Sequence, residues 1–310
     1  MTCGSTCSRY PLGMYKSPLW LKTARLPFLV LTPACIGLAV ACVQWTQGHV
    51  NLLQALLVLL GAMAAHVSVN AFNEYQDFRS GLDALTQRTP FSGGSGVLPQ
   101  HPELAGSTLA MAVSSLCICM AVGVYFVTLR GPTLLPLGLA GVALVLVYTQ
   151  WITRHPLLCL IAPGLGFGPL MIIGTQVALT GHYSASAAMA SLVPFFLVNN
   201  LLLLNQFPDV DADRSVGRRH ILITAGPATG ARWYAVMTEL AFASIPLGVV
   251  LGLLPTGALL GSLGLLIALP TAREVLTHAH DVQRLQPAMG RNVLINLLTP
   301  VLMAIGIFMS

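Results

Sequence analysis

The chain has 310 residues, of which 55 % are hydrophobic and only 8 % charged. A soluble domain carries roughly a quarter charged residues, and no soluble fold of this length could bury so much apolar surface. A soluble globular protein is therefore excluded, and the net charge of +5 belongs to the loops of a polytopic membrane protein rather than to a nucleic-acid surface.

Residues 1–23 form a short polar arm with Arg9, Lys16 and Lys22, without the apolar stretch of a cleavable signal. Apolar runs follow at about 25–45, 50–74, 105–129, 132–152, 156–180, 185–207, 232–253, 255–272 and 292–309. Each is near the ~20 residues a bilayer requires. Period-two alternation is absent, so nine transmembrane helices are expected rather than barrel strands. Under that count 14 of the 15 basic residues fall on one side and Arg130 alone on the other. The N-terminus is then cytoplasmic and the C-terminus outside. The expected architecture is an all-α integral protein of the cell's inner (cytoplasmic) membrane, with one domain over 24–310. The seven cysteines form no CxxC pair and indicate no disulfide framework.

Two long polar loops, 76–104 and 208–231, fall on the basic side, and each directly follows an acidic stretch. Only 10 residues of the chain are acidic. Three of them lie in Asn205-Gln-Phe-Pro-Asp209-Val-Asp211-Ala-Asp213, and the aspartates Asp77 and Asp83 lie in Asn73-Glu-Tyr-Gln-Asp77-Phe-Arg-Ser-Gly-Leu-Asp83. Asn73-xxx-Asp77 matches Asn205-xxx-Asp209 at an offset of 132 residues, with Tyr75 and Phe207 third in each. The stretches end helices 2 and 6, which are parallel, so both emerge on the same face. Asn70, Asn73 and Asp77 share one helix face, as do Asn205, Asp209 and Asp213. Gly81 is expected to end helix 2 and leave Asp83 on a turn, and Pro208 to kink the end of helix 6.

Converging carboxylates repel unless cations lie between them. Asp and Asn oxygens without sulfur or imidazole favour Mg²⁺, which is commonly held by a few carboxylates plus substrate phosphates. Arg79, Arg88, Arg218 and Arg219 suit a phosphate. The pattern thus points to a metal-bridged diphosphate whose apolar body lies in the bilayer. Arg25, at the mouth of helix 1, either reaches the diphosphate or anchors the helix. Gly93-Gly94-Ser95-Gly96 is either an anion nest or a lid hinge. His66 lines the cavity or is a satisfied interior histidine, and Glu239 is an acid inside the seventh span. Asp211 lies off the shared face and is expected to be solvated. A cation transporter would place its charges near mid-membrane in broken helices instead.

At these residues the chain resembles the UbiA superfamily of intramembrane prenyltransferases. The long second spacing of Asn73-xxx-Asp77-xxxxx-Asp83 is similar to the 1,4-dihydroxy-2-naphthoate branch. So are Arg88-Thr-Pro-Phe-Ser-Gly-Gly-Ser-Gly-Val-Leu98, Tyr148-Thr149, Gly164-Leu-Gly-Phe-Gly-Pro-Leu170 and Asn205-xxx-Asp209-xxx-Asp213-xxx-Gly217-Arg218. The resemblance implies a nine-helix bundle and Mg²⁺ held by Asn73, Asp77, Asp83, Asp209 and Asp213. It further implies a polyprenyl diphosphate bound with the help of Arg25, Arg79, Arg88, Arg218 and Asn205. The same carboxylates and Tyr148 would serve the transfer of the prenyl group to an aromatic acceptor, with Phe72, Tyr75, Tyr148 and Phe207 as shelters for an allylic cation. The implied acceptor is 1,4-dihydroxy-2-naphthoate. The alternatives are 4-hydroxybenzoate, a chlorophyllide, haem or a glycerol phosphate lipid, because Gln150-Trp-Ile-Thr-Arg-His-Pro156 and Arg218-Arg219-His220 depart from the family's usual segments.

Overall fold

A computed structural model describes residues 18–86, 88, 89 and 91–310. Most of the polar arm, with Arg9 and Lys16, lies outside the described residues, as does Pro90 of the Arg88–Leu98 motif. The described chain is helical, without strands. After two short 3-10 turns, Leu19–Ala24 and Leu26–Val30, the helices are α1 (Leu31–Gln47), α2 (Leu52–Ser80), α3 (Leu82–Leu85), α4 (Val97–Gln100), α5 (Ala105–Arg130), α6 (Leu135–Val147) and α7 (Pro156–Leu165). A π-helical segment, Gly166–Ile173, joins α7 to α8 (Gly174–Thr180). Then come α9 (Ala185–Asn205), α10 (Val210–Ser215), α11 (Ile221–Ala225), α12 (Pro227–Val250), a 3-10 segment Thr256–Gly264 that leads into α13 (Leu265–Thr277), and α14 (Val282–Phe308). Among the described residues, eight of the resulting continuous helices are long and apolar enough to cross a membrane, and a ninth, Pro132–Val147, is apolar but shorter.

These helices bury an apolar seam on the inside and leave leucines and valines on the outside. Leu52, Leu53, Val124, Leu139, Val250 and Leu266 are all exposed. In water such a surface would drive aggregation, whereas in lipid it costs nothing. The close contacts pair α2 with α5, α9 with α12 and α1 with α14. Small residues set some of the closest backbone approaches elsewhere, as between the α7 segment and α9. A Cβ on Gly164 would lie 2.0 Å from the Phe195 carbonyl oxygen, and one on Gly168 2.5 Å from that of Ser191. Gly164-xxx-Gly168 therefore lets the α7 segment touch the backbone of α9, the usual helix contact where lipid supplies no hydrophobic drive. Pro163 and Pro169 remove two helical donors around it, which accounts for the local widening to π geometry.

The two acidic stretches end their helices differently. Helix α2 stops at Gly81, which takes φ 78°, and the chain turns at once into α3, which carries Asp83. Helix α9 stops at Asn205, and residues 206–209 form a turn before α10 begins. The expected single face through Asn205, Asp209 and Asp213 is thus not a helix face. Pro208 lacks the donor that would continue the helix and disfavours helical geometry at Phe207. Asp213 is brought back toward Asp209 by α10, whose first bond runs from the Asp213 amide to the Asp209 carbonyl at 2.8 Å.

Candidate active site

A cavity of about 700 Å³ runs between α1, α2, α5, α6, the α7 segment and α9. Its walls are mostly aliphatic, and its polar end gathers Arg25, Asn73, Asp77, Asp83, Asn205, Asp209, Asp213 and Arg218, with Tyr148 on the wall. Nine of the eleven residues expected at the site therefore meet here. The link between the two acidic stretches is Arg218. Its guanidinium donates to Asp213 Oδ1 at 2.9 Å and, with its other terminal nitrogen, to Asp77 Oδ1. One planar fork thus ties the end of α2 to α10.

Arg79 and Arg88 lie elsewhere. Arg79 folds back over the Tyr75 ring, 6.0 Å from its centroid, and lines a separate cleft. Arg88 lies behind the glycine loop, where a Cβ on Gly96 would meet its guanidinium at 1.9 Å. Of the four aromatic residues expected to shelter a cation, Tyr148 alone is on the cavity wall. Phe207 is buried in an apolar cluster with Leu203 and Tyr234, and Phe72 packs with Trp20 and Ala71. Phe28, Phe91, Phe126 and Phe167 supply the cavity's other aromatic rings. His66 is both things expected of it. It lines the cavity, and its Nδ1 is 2.8 Å from the Thr32 hydroxyl. Glu239 is exposed on α12, away from the cavity, and Asp211 is solvated.

Glu74 is the residue the sequence did not single out. It is fully buried and accepts three hydrogen bonds: from Arg25 Nε at 2.8 Å, the Ser95 amide at 2.7 Å and the Ser95 hydroxyl at 2.6 Å. It thereby pins the Gly93–Gly96 loop beside the carboxylates. Gly94 takes φ 72°, and a Cβ there would sit 3.1 Å from Glu74 and 3.2 Å from Asp83. The available signal was an acidic residue inside a membrane helix, one position after Asn73. His220, also buried, places Nε2 3.2 Å from Asp213 Oδ2.

The electrostatics at this end suit a cation. Burial, with the nearby charges of Glu74 and Asp77, pushes the Asp83 carboxyl up to about 7. Burial and then Asp213 push Asp209 up to about 7 as well. Burial works against the charge of Arg218, but Asp77 and Asp213 outweigh it and hold the guanidinium above its ordinary range. Asp83 Oδ2, Asp209 Oδ1 and Asn205 Oδ1 are buried without a hydrogen-bond partner. Such hard oxygens fit a divalent cation such as Mg²⁺. Among the described residues no three Asp, Glu, His or Cys side chains form a ready-made metal cage.

Fold and site together define a polytopic helical membrane protein with an amphipathic ligand cavity: aliphatic along its length, and carboxylate and guanidinium at one end. The chain belongs to the UbiA prenyltransferase family, whose model matches residues 30–294. It is an enzyme of the prenyltransferase class. It is similar to the 1,4-dihydroxy-2-naphthoate octaprenyltransferase of Escherichia coli, at 26 % identity over 95 % of this chain and 96 % of that one. The Bacillus subtilis protein of the same name is 26 % identical over 67 % of this chain and 65 % of its own length. In fold it is similar to a UbiA homologue from Aeropyrum pernix, with a TM-score of 0.68 at 18 % identity over 92 % of this chain and 98 % of that one. A UbiA homologue from Archaeoglobus fulgidus solved with GPP and Mg²⁺ aligns with a TM-score of 0.59 at 12 % identity, over 94 % of this chain and 100 % of that one.

Proposed function

We propose that the protein transfers a polyprenyl group from a prenyl diphosphate to 1,4-dihydroxy-2-naphthoate, as a step in making a menaquinone-type quinone. The observation that carries the donor half is the Arg218 bridge between Asp77 and Asp213 at the polar end of an apolar cavity. The acceptor half rests on the full-length similarity to the Escherichia coli enzyme.

The aliphatic walls take the prenyl chain, and the charged end takes the diphosphate. Arg25 and Arg218 face the phosphate oxygens, with Asn205 as a further polar contact. Asn73, Asp77, Asp83, Asp209 and Asp213 would hold Mg²⁺, which when bound neutralises charge on the departing diphosphate. The allylic C–O bond breaks with its electron pair leaving on the diphosphate. An electron-rich ring carbon of the acceptor supplies the pair for the new C–C bond, and its carboxylate departs as CO₂. Arg218 and Arg25 stabilise the leaving charge from fixed positions. Tyr148, on the cavity wall, offers its ring face to the positive carbon. The aliphatic wall keeps out the water that would otherwise capture it.

In the membrane we place nine crossings, with Pro132–Val147 as the short one. The N-terminus is then cytoplasmic, the site opens toward the cytoplasmic side of the inner membrane, and residues 24–310 form one domain. Membranes containing the protein should attach a labelled prenyl group to dihydroxynaphthoate only with Mg²⁺ present. Asp77→Ala and Asp209→Ala should each lower transfer by about 10²-fold or more, the scale of losing one electrostatic stabiliser. Undiminished turnover in both variants would remove the metal assignment. Transfer to 4-hydroxybenzoate in preference to dihydroxynaphthoate would replace the acceptor and leave the donor half intact.

A further inference from the structure

A second void of about 530 Å³ lies across Asp77 and Arg218 from the prenyl cavity. Its lining is of another kind. The last turns of α2 give Tyr75 and Arg79, the 148–155 connector gives Gln150 and Arg154, and the loop after α10 gives Val216. Arg79, Gln150 and Arg154 are exposed, so the cleft opens to water at the end of the bundle that carries both acidic stretches. The two voids share Asp77, Thr153 and Arg218 as a common wall. The wall is held together by the Asp77–Arg218 pair and by the Arg219 amide, which donates to the Thr153 carbonyl at 2.9 Å.

We propose that this cleft is the aqueous port of the site, through which a small water-borne anion reaches or leaves the reacting end without crossing lipid. The proposal rests on the prenyl-transfer function above. A polyprenyl chain has no use for a wet, polar cleft. Arg79, Arg154 and Arg218 line the cleft with one carboxylate, Asp77, and Arg218 is shared between Asp77 and Asp213. The surplus is positive and favours an anion. The Arg79 guanidinium and the Tyr75 ring also offer planar surfaces on which an arene can stack. An aromatic carboxylate moving inward and a free diphosphate moving outward share this chemistry. The Asp77–Arg218 pair closes the partition beside Thr153, so a competing anion can open it there by taking Arg218 from Asp77.

The test blocks the cleft from its two walls in the full chain, reconstituted in bilayer discs. Gln150→Cys and Val216→Cys are each treated with a bulky anionic thiosulfonate, with the treated parent chain as control for native cysteines. Binding of a non-reactive prenyl thiodiphosphate should change by less than about twofold, while steady-state transfer falls by about tenfold or more. A raised acceptor KM with a slowed first turnover marks the inward anion. A normal first turnover followed by slow later ones, with pyrophosphate released late, marks the outward one. In an independent arm, Arg154→Gln should raise the acceptor KM or weaken inhibition by inorganic pyrophosphate several-fold. Full turnover in both blocked variants overturns the port. So does loss of thiodiphosphate binding on modification, which would make the cleft part of the donor site. If the untreated parent neither binds the thiodiphosphate nor transfers prenyl groups, the prenyl-transfer function itself fails, and the port falls with it.

Discussion

Arg218 and Glu74 decide the polar end, one by bridging and the other by pinning. Arg218 is held between Asp77 and Asp213, a geometry that a lysine ammonium cannot reproduce with its single point of charge. Arg218→Lys should lower kcat/KM for the donor by about 10²-fold, read against the unchanged elution profile of the detergent-solubilised protein. Glu74 fixes the glycine loop through Ser95 and fixes Arg25 at the same time. Removing its charge in Glu74→Gln weakens hydrogen bonds worth about 1.5–3 kcal/mol each when charged. The Ser95 amide should then exchange with solvent on the order of tenfold faster or more in Glu74→Gln, and less so in Ser95→Ala. Equal protection in all three proteins would show that the loop is held by something else. Asn73, Asp77 and Asp209 could be picked out of the sequence because carboxylates are rare in this chain and recur at one offset. Glu74 gave only the weaker signal of an acid inside a membrane helix, because its role depends on Ser95, which lies 21 residues away.

At the scale of elements, glycine and proline decide where helices touch and stop. Gly164 and Gly168 lie on the backbone of α9, and α9 ends in Asn205 at the site. Gly164→Val meets a carbonyl oxygen that cannot step aside. Its cost should exceed the usual 1–3 kcal/mol of overpacking, roughly, and appear as a clear drop in Tm. A Cβ on Gly138, on α6, would meet nothing within 4 Å, so Gly138→Ala should leave Tm nearly unchanged, apart from a small propensity term. The same reasoning explains why the expected helix face at the second acidic stretch does not form. A period of four predicts a shared face for Asn205, Asp209 and Asp213 only if the helix continues, and Pro208 stops it. The three still converge because α10 folds back, a tertiary outcome that periodicity cannot express.

For the whole molecule, the site exists only between elements far apart in sequence. The cavity's charged end joins residues 25, 73–83, 205–218 and the 92–94 loop. Ligands that bind this assembled state and not the unfolded chain raise stability by mass action, by about 2.7 kcal/mol at a concentration of 100 times Kd. Mg²⁺ and a prenyl thiodiphosphate together should therefore raise Tm by more than the sum of their separate effects, because each supplies ligands to the other. Purely additive shifts would place them at different sites. The helical membrane class and the position of the two acidic stretches could be read from the chain alone. Those follow from composition, hydropathy and residue type, all local quantities. Tertiary structure alone decided which guanidinium bridges the stretches, that Glu74 holds the loop, that Arg79 faces a second cleft and that Phe207 is core. Each of these depends on which faces of distant helices are packed together, and in lipid that packing is set by close contacts among small residues rather than by the hydrophobic pattern that the sequence displays.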